Sequence, residues 1–316
     1  MRYRAVAAVV MLGVVGVLGC ASPPFRAGAP TGAVDVIAHR GASAYAPENT
    51  RAAFELAIDM GADWFELDCH LSGDGEIVVI HDPTVDRTTD GSGAVAGMTL
   101  GELQALDAGS WFGDEFEGER IPTLGEALDL ARGRIGVYVE LKSVDRDRQL
   151  MQHLLAVGEG RDSLIPRQSA RVLDLIEASR SANYALATRA VDLIRERDMK
   201  DQVVIQSFSP VIVAVVRAID PRIRVEFLGT YDPEDRAAWA LFLRWGQLMN
   251  PHGFNPNYHN ITEEQVRMFQ DAGRTVNVWT VNDAEDIERM ANMGVDGIIT
   301  DYPDVAVDVL SGMGLR

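Results

Sequence analysis

The chain has 316 residues, of which 47% are hydrophobic and 24% charged, the composition of a globular protein with a large core. Its formal net charge of −18 argues against binding to nucleic acid, because that requires a basic surface. An acidic protein that binds anions needs local cations, either basic side chains or a bound metal ion.

The first twenty residues have the pattern of an export signal. Two arginines precede an apolar stretch, residues 5–19, that is short for a membrane span. The sequence VLGC that ends it resembles a bacterial lipobox, which implies cleavage before Cys20 and lipid attachment to that cysteine. An ordinary secretory signal that ends a few residues later is the alternative. We therefore expect a lipoprotein signal peptide over 1–20, a flexible tether over 21–33, and a lipid-anchored protein of the cell envelope.

From residue 34 onwards, apolar runs typical of strands alternate with amphipathic helical stretches. The predicted strands are 34–38, 64–71, 77–81, 135–141, 203–208, 224–229, 252–255, 275–281 and 297–300. Capping residues predict helix starts at Asn49 or Thr50, at Thr123, at Thr262 and at Asn282.

This alternation predicts a parallel sheet with helices outside it. About eight such units favour a closed (β/α)₈ TIM barrel over an open doubly wound sheet, and neither a glycine-rich dinucleotide motif nor a Walker loop is present. The run 77–81 is the surplus strand, because Ser-Gly-Asp-Gly before it is typical of a hairpin. We expect one barrel domain over 34–316, with a small insertion at about 83–122 and an outer helical layer in 143–200.

Three acids at strand ends predict a metal site. Glu66 and Asp68 lie two apart on one strand and therefore share a face, and Glu140 ends another strand. Carboxylates crowded in a partly buried site repel each other unless a cation neutralises them. An all-oxygen ligand set favours one divalent cation, Ca²⁺ or Mg²⁺, over Zn²⁺.

Two histidines also end strands. A hairpin centred near Asp74 places His81 opposite residue 67, beside the Glu66–Asp68 pair, and His39 ends the first strand. Because imidazole titrates near neutral pH, the two histidines are candidates for a base and an acid.

Arg40 and Lys142 are cations at strand ends in an otherwise acidic protein. The planar fork of arginine suits a phosphate, although a salt bridge to a nearby carboxylate is an alternative for either residue. A metal ion, two cations and two histidines together indicate chemistry on a phosphodiester, which needs charge neutralisation and proton exchange at two oxygens.

Five segments resemble the glycerophosphodiester phosphodiesterase family: HRGASAYAPENT, FELDCHLSGDGEIVVIHDPTVDRTTDGSG, YVELK, NVWTVN and GIITDYPD. The resemblance covers roughly 34–142 and 200–310. It implies a (β/α)₈ barrel with an insertion after the histidine-aspartate motif. It also implies metal-dependent cleavage of glycerophosphodiesters to sn-glycerol 3-phosphate and an alcohol, through a cyclic phosphate formed by the substrate's own 2-hydroxyl.

By motif, the resemblance implies a role for each candidate residue. The acid–base pair would be His39 and His81; the metal ligands Glu66, Asp68 and Glu140; the phosphate contacts Arg40 and Lys142. Trp279 in NVWTVN either packs on the glycerol carbons or the leaving group, or fills the barrel. Glu48 and Asn49 either cap the following helix or orient Arg40, and we expect capping.

Two alternatives remain at this stage. A phospholipase D-like enzyme on the same scaffold would accept lysophospholipids or sphingomyelin-like substrates, and an apolar rim over 94–116 would favour it. A catalytically silent surface binding protein would have lost a histidine or a metal-binding acid, and all are present. The predicted partners are a small glycerophosphodiester and, through Cys20, a membrane.

Overall fold

The strands close into one barrel in the computed structural model, which describes residues 32–143, 147–165, 168–231 and 235–316. The nine strands within these ranges are β1 (Asp35–Ala38), β2 (Trp64–Leu71), β3 (Ile77–Val79), β4 (Gly136–Leu141), β5 (Val203–Ser207), β6 (Arg224–Gly229), β7 (Gly253–Pro256), β8 (Thr275–Val278) and β9 (Gly297–Thr300). They pair in the order β1-β9-β8-β7-β6-β5-β4-β2-β3, and β1 also pairs with β2. All pairs are parallel except β2–β3. The predicted (β/α)₈ barrel is confirmed, with β3 as the surplus strand.

Helices surround the barrel. Those in the described ranges are α1 (Arg51–Asp59), α2 (Leu100–Leu103), α3 (Leu124–Ala131), α4 (Arg148–Gly158), α5 (Ser169–Ala178), α6 (Ala182–Glu196), α7 (Pro210–Ile219), α8 (Arg236–Met249), α9 (Glu263–Asp271), α10 (Ala284–Met293) and α11 (Pro303–Gly312). The connection from β4 to β5 carries α4, α5 and α6, which corresponds to the outer layer expected in 143–200. The apolar faces of the helices pack on the outward side chains of the strands to form the main core.

Side-chain caps define several helix starts. Thr50, Thr123 and Thr262 each accept a hydrogen bond from a backbone N–H in the first turn, and the last two form complete capping boxes. The start predicted at Asn282 is one residue early, since Asp283 directly precedes α10. Local sequence therefore places these helices to within one residue.

The β2–β3 hairpin has the predicted register. Cys69 lies opposite Val79, so a continuation of the pairing sets residue 81 opposite residue 67. The Ile80 N–H still donates to the Asp68 carbonyl at 2.9 Å before the chain turns away into the insertion. This hairpin carries His81 to the mouth of the barrel.

The insertion after the His81-Asp82 motif has its own small core. It contains α2 and two short 3₁₀ helices, Val95–Gly97 and Asp114–Phe116. Its apolar side chains pack against β3 rather than against the main core. Val95 belongs to this core and is 1% exposed. The apolar rim expected over 94–116 therefore includes Trp111, which is 40% exposed, but not Val95.

The predicted signal peptide (1–20), the lipidation site Cys20 and nearly all of the tether (21–33) lie outside the described residues. Among the helices that are described, none combines the length and apolar character required to cross a bilayer.

Candidate active site

The charged residues that end the strands converge at the mouth of the barrel. A cavity of about 110 Å³ is lined by seven of the predicted site residues: His39, Arg40, Glu66, His81, Glu140, Lys142 and Trp279. The remaining predicted residue, Asp68, is 1% exposed and lies beside them, in contact with Lys142. Parallel strands bring their carboxyl ends to one rim, which is why residues far apart in sequence meet here.

The three acids form one buried group, here called the acidic triad: Glu66, Asp68 and Glu140. One carboxylate oxygen from each lies within 4.8 Å of the other two. Burial, followed by repulsion from Asp68 and Glu140, raises the pKa of Glu66 well above its ordinary value. Burial likewise raises the pKa of Glu140 to about 7. The triad therefore holds more negative charge than its surroundings compensate.

Asp68 differs because two cations contact it. Lys142 Nζ lies 2.8 Å from Asp68 Oδ1 and 2.8 Å from Glu140 Oε1, and Arg40 Nε lies 3.2 Å from Asp68 Oδ2. Burial alone would raise the pKa of Asp68, but the attraction of Lys142 and Arg40 outweighs it and lowers that pKa. Asp68 is therefore the member of the triad whose charged form the neighbouring cations stabilise most.

The triad fits a divalent cation. Its ligand atoms are oxygens, as Ca²⁺ and Mg²⁺ prefer. Asp68 Oδ1 is buried and accepts no hydrogen bond of regular geometry despite its charge contact with Lys142. A carboxylate oxygen whose contact with Lys142 is not a regular hydrogen bond, beside two acids of raised pKa, is an arrangement that a bound cation would satisfy.

His39 is held by an acid from the opposite end of the chain. Its Nδ1 lies 2.6 Å from Asp301 Oδ1, and Ser43 and Asn282 donate to the two oxygens of the same carboxylate. Burial would raise the pKa of Asp301, but the hydrogen bond and charge of His39, together with the hydrogen bonds from Asn282 and Ser43, outweigh it and lower that pKa to about 2. The charged carboxylate accepts from Nδ1–H and leaves Nε2 of His39 for proton exchange.

His81 has a matching arrangement. Its Nδ1 lies 2.7 Å from Asp82 Oδ1, while burial lowers its pKa. The ring of His70 lies beneath it and contacts the His81 carbonyl through Nε2 at 3.0 Å. His70 is 6% exposed and supports the backbone of His81.

Glu48 and Asn49 do not cap α1, so that expectation is wrong. Thr50 caps the helix, because its hydroxyl is the group that reaches the first-turn N–H. Glu48 instead accepts from Arg40 Nη1 at 2.9 Å. Asn49, in a left-handed conformation at φ +60°, donates to Asp68 Oδ2 at 2.8 Å and accepts from the Asp68 N–H.

Arg40 turns back over the triad. Its own φ of +56° and the φ of +83° at Gly41 make a tight turn directly after β1. The turn lets the Arg40 N–H donate to Glu66 Oε2 at 3.0 Å. A Cβ at Gly41 would lie 2.6 Å from the backbone of Ala53, so only glycine fits there. The buried Arg40 Nε makes no hydrogen bond of regular geometry and can donate to an anion in the cavity.

Trp279 forms one wall of the cavity. Its Nε1 donates to the Asn255 carbonyl at 2.7 Å, and its ring meets Phe208 edge to face at 5.5 Å between centroids. Phe208, which the sequence did not single out, is 40% exposed. The two rings offer an apolar surface to a ligand, although Trp279 also packs on the barrel interior.

A larger cavity does not mark a second site. It measures about 700 Å³ and lies between α1, α3 and the insertion. Its arginines contact nearby acids or carbonyls, as Arg134 does with Glu55 and Arg120 with the Gln104 carbonyl. The small cavity at the strand ends, with its triad and histidines, is the one equipped for chemistry.

Comparison with known proteins places the chain in a family. A model of the glycerophosphoryl diester phosphodiesterase family matches residues 39–305. A glycerophosphodiester phosphodiesterase of Caldanaerobacter subterraneus subsp. tengcongensis is 37% identical over 279 residues, covering 87% of this chain and 97% of the relative. One from Bacillus subtilis is 31% identical, covering 87% of this chain and 86% of the relative. The chain belongs to the glycerophosphoryl diester phosphodiesterase family, as the sequence motifs predicted.

Solved structures support the same assignment. A phosphodiesterase of Oleispira antarctica, in complex with the product sn-glycerol 3-phosphate, matches with a TM-score of 0.70 and 29% identity over 88% of this chain and 97% of its own. A glycerophosphodiester phosphodiesterase of Agrobacterium tumefaciens matches with a TM-score of 0.64 and 28% identity, over 87% and 99%. The chain is accordingly an enzyme, a phosphodiesterase that acts on glycerophosphodiesters.

Proposed function

We propose that the chain hydrolyses glycerophosphodiesters to sn-glycerol 3-phosphate and an alcohol with the help of one divalent cation. The observation that carries this proposal is the convergence of three carboxylates, two cations and two carboxylate-anchored histidines on one cavity. The product bound in the Oleispira antarctica relative supports the choice of substrate.

The acidic triad would hold the cation, either Ca²⁺ or Mg²⁺. When bound, the cation supplies charge neutralisation and Lewis acidity at a phosphoryl oxygen. Arg40 and Lys142 flank the triad, so they would bind and orient the phosphate while the side chains of Trp279 and Phe208 pack against the carbon skeleton. Because the Arg40 and Lys142 side chains are already positioned by their contacts with Asp68, they need little reorganisation when the substrate enters.

The two histidines would exchange the protons. In the first step the substrate's 2-hydroxyl oxygen attacks phosphorus, one histidine takes the hydroxyl proton, and the other protonates the alcohol oxygen as its bond to phosphorus breaks. In the second step a water molecule opens the cyclic phosphate, and the histidines exchange roles. Each ring has its Nδ1 fixed by an aspartate, so Nε2 is the exchanging atom of both His39 and His81.

Product analysis tests this proposal. Protein freed of metal by chelation and then supplied with Ca²⁺ or Mg²⁺ should release glycerol 3-phosphate from glycerophosphocholine. His81→Ala should lower kcat by about 10²–10⁴-fold, the usual contribution of a general acid or base. Surface His259, replaced by Ala, is the matched control, since it lies in an exposed loop. An unchanged rate for His81→Ala would refute the assigned role.

The choice between small and lipid substrates has its own measurement. Trp111, Phe112 and Phe116 stack edge to face in the insertion and leave Trp111 exposed, which would suit an acyl chain. We expect glycerophosphocholine to be hydrolysed faster than lysophosphatidylcholine. The reverse order, lost in Trp111→Ser, would favour the phospholipase D-like activity instead.

We also propose export and lipid anchoring through Cys20. The support is the sequence of residues 1–20, with its basic start, apolar stretch and lipobox-like end. Wild-type protein should fractionate with membranes, and Cys20→Ala should be found in the soluble fraction. Membrane association of Cys20→Ala would refute lipidation as the anchor.

A further inference from the structure

We propose that Arg87, contributed by the insertion, is a positioning residue that couples the phosphate-binding Arg40 to the acid–base His81. The inference rests on the function proposed above and extends it to a residue outside the barrel. It makes the insertion a working part of the active site rather than only a cover over its mouth.

Arg87 contacts two carboxylates at once. Its Nη1 and Nη2 donate to Glu48 Oε2 and Oε1, both at 2.8 Å. Its Nε donates to Asp82 Oδ2 at 2.7 Å, with Nη2 at 3.3 Å from Asp82 Oδ1. The guanidinium therefore uses all three nitrogens, and its planar fork fixes the angle between the two acids.

Each of these acids also contacts one of the proposed working residues. Glu48 Oε1 accepts from Arg40 Nη1 at 2.9 Å. Asp82 Oδ1 lies 2.7 Å from Nδ1 of His81. The result is a side-chain network, Arg40–Glu48–Arg87–Asp82–His81, that runs around the rim of the cavity. Arg87 is its central link and the member that comes from the insertion.

This side-chain network is better suited to position Arg40 and His81, at its two ends, than to stabilise the fold. The side chain of Arg87 is 44% exposed, and ion pairs of that exposure contribute little to folding. Glu48, at 12% side-chain exposure, is much less accessible and contacts Arg40 Nη1 through Oε1. Without Arg87, Glu48 would keep Arg40 as its one cation, and Asp82 would be free to rotate with His81.

Arg87→Gln is the first test. We expect kcat on glycerophosphocholine to fall about 10–100-fold, the usual effect of removing a group that orients an active residue. The affinity for Ca²⁺, measured by calorimetry, should change less than about 2-fold, since Arg87 does not contact the acidic triad. Arg120→Gln is the matched control, because Arg120 belongs to the same insertion and donates to the Gln104 carbonyl rather than to an acid that contacts Arg40 or His81.

Arg87→Lys separates charge from geometry. A single ammonium group retains the charge but does not reproduce the fork that spans two carboxylates. We therefore expect Arg87→Lys to recover less than half of the lost rate. Full recovery would overturn the proposal, because charge alone would then suffice.

A double-mutant cycle tests the coupling itself. When Arg87 is present, the effect of the double variant Glu48→Gln/Asp82→Asn on kcat should differ by about 5-fold or more from the product of the two single effects. In the Arg87→Gln background, the two effects should simply multiply. Additive effects in the presence of Arg87 would contradict a shared link.

A readout that does not need turnover distinguishes failure of this inference from failure of the proposed function. In ¹H–¹⁵N NMR spectra of the metal-free protein, Arg87→Gln should shift the ring Nδ1–H signal of His81, whereas Arg120→Gln should not. If the wild type hydrolyses no glycerophosphodiester, the proposed function fails, and this spectrum still decides the positioning role. An unshifted signal in Arg87→Gln would overturn it.

Discussion

Two sets of buried acids inside the same barrel are compensated in opposite ways. The acidic triad at the strand ends gathers three carboxylates against two cations, and two of its members have raised pKa values. Nearer the amino end of β6, Glu226 is fully buried, and its charge acts on the neighbouring Asp35. Its Oε1 accepts from Arg224 and Thr275 at 2.9 Å each, and its Oε2 accepts from Asn277 at 2.8 Å.

The difference distinguishes a structural acid from acids arranged for function. Glu226 is paired with one cation, and both of its carboxylate oxygens accept hydrogen bonds from neutral donors. Its charge and its hydrogen-bonding capacity are therefore largely compensated despite burial. The triad keeps a carboxylate oxygen without a hydrogen bond, as a protein does where a ligand is to complete the site. We therefore expect removal of charge to have opposite effects in the two places.

A line of side-chain amides joins the two sets. Asn277 donates to Asn255 at 3.2 Å, Asn255 donates to Gln206 at 2.8 Å, and Gln206 donates to Glu66 Oε1 at 3.2 Å. Asn255 and Gln206 point their donors towards the triad, whereas the Asn277 amide donates both to Asn255 and back to Glu226. Glu226 sets the orientation at one end, and the triad receives a donor at the other.

The largest effect is expected for Glu140→Gln. Activity should fall about 10³-fold or more, because a charged ligand of the proposed cation would be lost. The metal-free variant should nevertheless unfold at a higher urea concentration than metal-free wild type at pH 8, since a buried acid with a raised pKa is no longer ionised. Glu226→Gln is the control and should lower stability while activity is kept. If Glu140→Gln and Glu226→Gln lost stability to the same extent, the proposed difference between the triad and Glu226 would be wrong.

Asp301→Asn should have the next largest effect. The substitution replaces a charged carboxylate with a neutral amide as the partner of His39 Nδ1–H. The imidazole ring then loses both its fixed tautomer and its orientation. We expect kcat to fall about 10²–10³-fold with a smaller change in KM. Asp304→Asn, three residues further on, is the control, and the measurement is steady-state kinetics on glycerophosphocholine. Equal kinetics for the two variants would argue against a role for Asp301.

Asp301 also shows how far the sequence could lead. Glu66, Asp68 and Glu140 could be predicted from the sequence, because strand alternation and strand ends are local properties. His81 followed from a hairpin whose register depends on a few turn residues. Asp301 lies 262 residues from His39, and no local rule pairs them. An acid that ends a late strand, in a motif already recognised, was the one available signal.

Glu48 was misassigned and Arg87 was missed for a different reason. Glu48 sits in a sequence that is typical of a helix start, so capping was preferred to the alternative in which it orients Arg40. Arg87 lies in an insertion with little periodicity, where pattern predicts neither helix nor strand. Their contact spans 39 residues and depends on how the insertion folds over the barrel. Site residues on irregular segments are thus the ones that could not be predicted from sequence patterns.

A smaller effect, on stability alone, is expected for Arg224→Met. Removing one partner of a buried ion pair usually costs about 3–5 kcal/mol, and we expect about 2 kcal/mol because solvent reaches part of this side chain. Arg224 is 39% exposed while Glu226 is 0% exposed. Urea unfolding measures the loss, and activity well below the transition should be unchanged. Combining Arg224→Met with Glu226→Gln should recover part of the loss, since the uncompensated charge is then gone; strict additivity would contradict this.

The smallest effect concerns Asp35, an acid close to the Glu226 cluster that has no ion pair among the described residues. Burial, then repulsion from Asp63, raises its pKa from 3.8 to about 6. In this interval the folded state binds a proton that the unfolded state does not, so this contribution to stability is present below pH 3.8 and is lost as pH rises through about 6. Asp35→Asn should remove that slope and be more stable than wild type at pH 7.5 by about 1 kcal/mol. Exposed Asp271→Asn should keep the wild-type slope in urea titrations. An unchanged slope in Asp35→Asn would mean that the Trp64 hydrogen bond and Arg224 already compensate this carboxylate as fully as Glu226 is compensated.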